Sequence, residues 1–470
     1  MKRILFPWLI LTYQVMDALS KDASSEKRPD MSAILASLRK KPVSFFKEEA
    51  GVEAYSGYIT VRNGSHFFYV LIKTPTNTSE TPLILWLQGG PGRSGMFGQF
   101  LENGPVGIDA DGNLFNRSST FLKFSDVLYV DYPAGGGLSI IESPSVLSTS
   151  LDNVTDDLLA FLKKFYELFP EYLTRPLYLA GESYGARAAV SLAARMEIAC
   201  ENRPRGIMLF AGFLVPLGES ILKSQNFLYH LSMLDEQGRT KMSVMFSEIL
   251  RQAAQNTTVA AYLLARTVFN FKIKGENSLF ANLTGYDDQE SVLHTTKVAE
   301  VVQYMDYVNS SDIKMKLGIS KMLVSRVSLE KYRPAINLYL GPGDYFTNIT
   351  DTFEKVLGSQ KVLILNGQMD DIFPPVLFNE YFNQMTWNGS IEFKQASRRP
   401  WKTKADYGLT GYIKECGNLT VALALRAGHY VGFHASEAVY YAVESFIKGL
   451  KYSDDGKNSI HQIQPSVRSS

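Results

Sequence analysis

The sequence predicts an α/β chain with a mostly parallel, doubly wound sheet, and three observations carry that expectation. Short apolar runs recur at 82–87, 126–130, 176–180, 205–213, 361–365 and 419–425, each ending in glycine or polar residues. Runs of that length fit strands buried on both faces. Between two of them, 152–168 has helical spacing and gathers Leu158, Leu159, Leu162 and Phe165 on one side. The third observation is Gly181-Glu182-Ser183-Tyr184-Gly185, which joins the run 176–180 to an Ala-, Leu- and Arg-rich stretch, 186–199, with the character of a helix. Strand, glycine turn and amphipathic helix in alternation imply parallel strands with helices on both faces.

Length and composition bound what such a chain can be. With 470 residues, 45% of them hydrophobic and 20% charged, it can bury a sizeable core and carry insertions. Lys and Arg number 48 against 47 Asp and Glu, a net charge of +1, which gives no footprint for nucleic acid or anionic membrane. Lys2 and Arg3 precede a largely apolar stretch, 4–15, and Ala18-Leu19-Ser20 offers small residues for cleavage. Residues 1–20 are therefore expected to be a signal peptide, too short in its apolar part to span a bilayer comfortably. No later stretch has the length and apolarity of a membrane span. Sequons stand at Asn63, Asn77, Asn116, Asn153, Asn256, Asn282, Asn309, Asn348, Asn388 and Asn418. Behind a leader they favour a glycosylated protein, secreted or lysosomal. Cys200 and Cys416 are the two cysteines. They cannot make a disulfide framework, and whether they bridge is open at this level.

In chain order, 21–50 is charged and lacks a strong period, so it is expected to be a pro-segment or a loosely attached arm. The first part of the core spans 51–217. It opens with a hairpin, 59–61 and 66–72 around a turn at Asn63-Gly64. Residues 218–330 lose the strand signals and give helices at 221–231, 238–253 and 257–269, an expected cap inserted into the core. Sheet signals resume in 331–452, and 453–470 is a polar tail expected to be loose.

The chemistry starts at the glycine-flanked serine. Gly-x-Ser-x-Gly between strand and helix is a nucleophile elbow, which implies an α/β-hydrolase fold with an inserted helical cap. A serine nucleophile needs a base, and the base needs an orienting carboxylate, in the chain order Ser, Asp or Glu, His. The run 361–365 leads to Asp370 and Asp371, and 419–425 leads to Gly428-His429. Ser183, Asp370 and His429 therefore fit, each just past the carboxyl end of a strand. Asp370 is preferred to Asp371 on spacing, and His434 is the rival of His429. The oxyanion needs two backbone donors. Tyr184 follows the nucleophile, and Gln88-Gly89-Gly90 supplies a turn after an earlier strand.

On these residues the chain resembles the serine carboxypeptidases, and within them the vitellogenic-like carboxypeptidases. The resemblance runs from about Ser56 to about Lys451. It is carried by Trp86-Leu87-Gln88-Gly89-Gly90-Pro91-Gly92, Glu102-Asn103-Gly104-Pro105, Phe169-Pro170-Glu171-Tyr172, the elbow, Asn366-Gly367-Gln368-Met369-Asp370 and Ala427-Gly428-His429. It implies a triad of Ser183, Asp370 and His429, with Gly90 and Tyr184 as oxyanion donors. It also implies that Trp86, Gln88, Glu102 and Glu182 bind the free C-terminal carboxylate of a peptide or protein substrate. Two glutamates beside a carboxylate require that some carboxyl stay protonated, so activity at acid pH is expected. No metal or cofactor is expected, and a homodimer is left open.

The departures from the family pattern fall on the pocket. Pro-Gly-Cys-Ser-Ser becomes Pro91-Gly92-Arg93-Ser94-Gly95, losing a usual cysteine. The residue after the base is Tyr430 in His429-Tyr430-Val431, where the family has Met. After the elbow the usual Tyr and Pro are absent from Gly185-Ala186-Arg187-Ala188-Ala189-Val190. No catalytic atom is removed. Two alternatives follow: a binding protein that kept the fold and lost turnover, and acyl transfer by the same triad to an acceptor other than water.

Overall fold

A twelve-stranded sheet forms the centre of the molecule. The structure, a computed structural model, describes residues 31–199, 202–269, 275–287, 290–403, 408–450 and 452. Across the middle of the sheet run Asp126–Val130, Leu83–Leu87, Leu177–Glu182, Gly206–Phe210, Lys361–Gly367 and Leu419–Ala424, each parallel to its neighbour. One edge is the antiparallel hairpin Ala54–Arg62 and Ser65–Ile72, the other the antiparallel pair Gly411–Cys416 and Arg399–Trp401. This is the α/β-hydrolase fold. The second edge pair has no sequence signal: 411–416 carries the adjacent charges Lys414 and Glu415, and its partner is three residues long.

Alternation along the strands divides the interior into two cores. Leu83, Leu85 and Leu87 face one side with Leu179, Ile207 and Leu209, against the helices Leu151–Leu168 and Tyr184–Ala199. Ile84 and Trp86 face the other, with Met208, Phe210, Leu363 and Leu365. Period-two alternation within continuous apolar strands is what a sheet covered on both faces requires.

Two expectations change. The segment taken for a loose arm is seated on the sheet from Leu35 onward. Lys41–Pro42 pairs with the first long strand, and Phe45 and Phe46 are fully buried in the second core. Each buried phenylalanine contributes roughly 1.5–3 kcal/mol, enough to hold the segment despite its charged neighbours. The inserted region is also not one cap. Gln225–His230, Glu236–Ala253 and Thr257–Thr267 pack on the first core, whereas Ala299–Asn309 and Ser311–Lys316 join the second, with Tyr304 and Val308 buried there. The leader, the tail beyond Tyr452 and Cys200 lie outside the described residues. Nine of the ten sequon asparagines are exposed. Asn309 is the exception, half-buried with its Oδ1 accepting from Ser328 Oγ at 3.0 Å and Leu329 N at 2.8 Å, so it is a poor acceptor for glycan.

Candidate active site

Ser183 sits between the strand Leu177–Glu182 and the helix Tyr184–Ala199 with φ of 56°. That left-handed conformation is strained for any residue but glycine. A Cβ at Gly181 would lie 2.2 Å from Gly185 O, and one at Gly185 would lie 1.9 Å from Leu87 O. The turn can therefore close only with glycine on both sides of the Glu-Ser-Tyr step. Gly89 is fixed for a related reason, because its Cβ would meet Ser183 Cβ at 2.6 Å.

Asp370 and His429 arrive on two loops that are laced together. Gln368 N donates to Ala424 O at 2.9 Å and Met369 N to Ala427 O at 2.7 Å. A Cβ at Gly367 would lie 2.2 Å from Gly428 O, so glycine permits this approach. The result is a bond of 3.0 Å between His429 Nδ1 and Asp370 Oδ2. Asp370 Oδ1 accepts from the backbone of Ile372 and Phe373, at 3.0 and 2.9 Å, which fixes the carboxylate plane. Both side chains are buried. Burial works against a charged ring, but the Asp370 carboxylate outweighs it and raises the His429 pKa above the ordinary histidine value. His434 differs: its Nδ1 bonds Tyr430 O at 2.9 Å, it stacks on His294, and burial brings its pKa down to about 4.

The residues around the second cluster come from three elements. Trp86 is the penultimate residue of the strand Leu83–Leu87 and its Nε1 donates to Gln88 Oε1 at 2.7 Å. Gln88 Nε2 in turn donates to Glu182 Oε2. Glu102 comes from the short helix Gly98–Asn103 and reaches Glu182 within hydrogen-bonding range. Both glutamates are buried, and among the described residues no donor reaches either Glu102 oxygen or Glu182 Oε1. Two carboxylates cannot bond each other, whereas a carboxylic acid and a carboxylate can. Burial raises the Glu102 pKa to about 7, and burial together with Glu102 raises that of Glu182 well above the usual carboxyl range. Both shifts favour the protonated form, so at acid pH the pair keeps protons that exposed glutamates would lose.

One cleft of about 670 Å³, its open mouth included, is lined by Gln88, Gly90, Glu182, Ser183, Tyr184 and His429, while Trp86, Glu102 and Asp370 stand behind its wall. A strained serine and a carboxylate-bound histidine on one cavity, with Glu182 of the buried carboxyl pair in its wall, have the groups that acyl transfer needs.

A family model described as serine carboxypeptidase matches residues 42–449. The chain belongs to the serine carboxypeptidase family. It is 30% identical over 403 residues to the venom serine carboxypeptidase of Apis mellifera, covering 84% of each chain. To the vitellogenic carboxypeptidase of Aedes aegypti it is 26% identical over 406 residues, again covering 84% of each. In fold it is similar to a prohormone-processing carboxypeptidase from Saccharomyces cerevisiae, with a TM-score of 0.68, 19% identity, and coverage of 89% of this chain and 98% of that one.

In this carboxypeptidase the rest of the cleft is lined by residues that sequence reasoning did not assemble. Arg93, noted only as the replacement for a cysteine, donates from Nη1 to Tyr430 Oη and lies 3.4 Å from Glu290 and 3.5 Å from Glu330. Glu330 also pairs with Arg333. Burial alone would raise the Glu290 pKa; Arg93, Tyr430 and Arg333 bring it to about 2. Behind the nucleophile, Tyr184 Oη donates to Asp344 Oδ2 at 2.6 Å and Arg187 Nε to Asp344 Oδ1 at 2.8 Å, all three buried. The one available signal was the pair of departures at Arg93 and Tyr430, which turn out to touch each other.

Proposed function

We propose that this serine carboxypeptidase releases the C-terminal residue of peptides through an acyl-enzyme, and does so best at acid pH. Ser183 Oγ attacks the scissile carbonyl carbon and passes its proton to His429 Nε2, the ring nitrogen left over from the bond to Asp370. The tetrahedral oxyanion is held by the backbone N–H groups of Gly90 and Tyr184. The intermediate collapses, the C–N bond breaks, and His429 returns the proton to the departing amine. Water then repeats the sequence on the acyl-enzyme, releasing the shortened peptide.

The observation that carries the reading is the buried Glu102–Glu182 pair with Gln88 beside the serine. A generic esterase has no use for carboxyls kept protonated at this depth. A site for a peptide's terminal carboxylate does, because the shared proton turns repulsion into a hydrogen bond. The test is release of free amino acid from an N-blocked dipeptide at acid pH by the purified protein, with a fluorophosphonate probe labelling Ser183 in parallel. Labelling without release of amino acid in water would contradict the hydrolase. The leader and the exposed sequons support entry into the secretory route, and an unglycosylated product retaining Met1 would rule that out.

A further inference from the structure

The cleft has two different sides, and His429 separates them. Its ring lies 5.7 Å from the Phe373 ring and 5.7 Å from the Tyr430 ring. On the Phe373 side the wall is apolar: Phe213 stacks on Phe373 at 5.4 Å, and the cleft lining also includes Leu217, Ile221 and Leu264. On the Tyr430 side the wall is ionic. The Arg93 guanidinium lies 5.1 Å from the Tyr430 ring centre and bonds its hydroxyl, with Glu290 and Arg333 beyond, all facing the cleft.

The carboxyl pair belongs to the ionic side. Gly432, two residues past Tyr430, packs so closely on Glu102 that a Cβ there would lie 2.9 Å from Glu102 Cβ. A peptide whose terminal carboxylate is held by Glu102 and Glu182 has its last Cα one bond from that carboxylate. In the proposed binding mode its last side chain projects on the Tyr430 side, while the residue before it lies on the Phe373 side. This step rests on the proposed carboxypeptidase reaction.

We propose that Arg93 and Glu290, joined through Tyr430, are specificity-determining residues that select hydrophilic over large apolar side chains in the amino acid released. An apolar side chain laid on this wall strips the remaining water from a buried guanidinium and a half-buried carboxylate and returns no hydrogen bond. A side chain with an amide or hydroxyl replaces the lost water. The wall has two cations, Arg93 and Arg333, facing two anions, Glu290 and Glu330. It is neutral as a unit, so the selection is for polarity and not for the sign of a charge. Glu330 supports the view that the wall is built: it holds φ of 65°, unfavourable for a non-glycine residue, while paired to both arginines.

The test compares two nearly isosteric C-terminal residues. N-blocked dipeptides with Phe in the first position and Asn or Leu in the last are assayed for kcat/KM, and their Kd is measured on Ser183→Ala protein. The expected result is a preference for Asn of about tenfold in both measurements. Arg93→Met with Glu290→Gln should bring the ratio to one or below, whereas Arg93→Lys, which keeps the charge, should retain part of it. Equal or better use of Leu by the unmodified protein would overturn the inference, whatever the variants do. Absence of hydrolysis with the Asn preference intact in Kd would count against the proposed reaction and leave the inference standing.

Discussion

The Phe373 side and the Tyr430 side of the cleft are made by different parts of the chain. Phe373 is placed by the turn after the strand Lys361–Gly367, and Phe213 by the turn after Gly206–Phe210. The two rings stack on each other. The ionic side joins the turn after Leu83–Leu87, which carries Arg93, to Tyr430 beside the base and to Glu290, Glu330 and Arg333 from the inserted region and its flank. Glu290 is also tied to the catalytic loop, since His429 N donates to Glu290 O at 2.8 Å. Sheet ends therefore place Ser183, Asp370 and His429, and the insertion dresses one side of them. On the proposed reading, the reaction can stay fixed while selectivity changes.

The comparison would break most completely at the base they share. His429→Ala should lower kcat by about 10⁴-fold or more for every substrate, because the proton acceptor is gone. His434→Ala, five residues on, should keep most of the activity. Rates of the two variants measured side by side decide the assignment, and the reverse pattern would move the base to His434.

The two sides should next be separable. Phe373→Leu should reduce kcat/KM about tenfold for peptides with a large apolar residue before the scissile bond and leave the Asn-to-Leu ratio at the last position unchanged. Tyr430→Phe, which removes only the hydroxyl between Arg93 and Glu290, should do the opposite. Parallel changes in both variants would mean that the cleft is one pocket.

The smallest effect is on stability. Buried carboxyls whose folded pKa is raised keep their protons while those of the unfolded chain, near 4.5, are lost. Stability contributed by such a proton is complete below the unfolded value and falls as pH rises toward about 7 for Glu102. The melting temperature should therefore decline from pH 4.5 to 7, and Glu102→Gln should flatten the decline. A pH profile of Tm unchanged by Glu102→Gln would show that this carboxyl is not held protonated.

Much of this was legible in the sequence because it is local. The elbow, the glycines at 181 and 185 and the polar endings of two strands carry Ser183, Asp370 and His429 in their own neighbourhoods. Glu290, Glu330 and Arg333 have no such mark. Each looks like a solvated charge in a region without a strand period, and only the fold brings 290 and 330 against 93. Within the expected arm, 21–50, the seating of Phe45 and Phe46 is hidden for the same reason, since they stand among charged residues and find their core across the sheet. The edge strands 399–401 and 411–416 escaped because an edge needs few apolar residues.

The central claim is that Glu102 and Glu182 hold a peptide's terminal carboxylate through a shared proton. The direct measurement is kcat/KM against pH for Glu102→Gln and Glu182→Gln, with free-acid peptides and the corresponding amides in parallel. Glutamine keeps a donor but cannot ionise or share a proton, so free-acid hydrolysis should fall by roughly 1–3 kcal/mol at acid pH. The loss should shrink as pH rises toward about 7 and Glu102 itself ionises, and the amides should be affected less at every pH. Equal losses on both substrates across the whole range would mean that these glutamates support the fold and not the carboxylate.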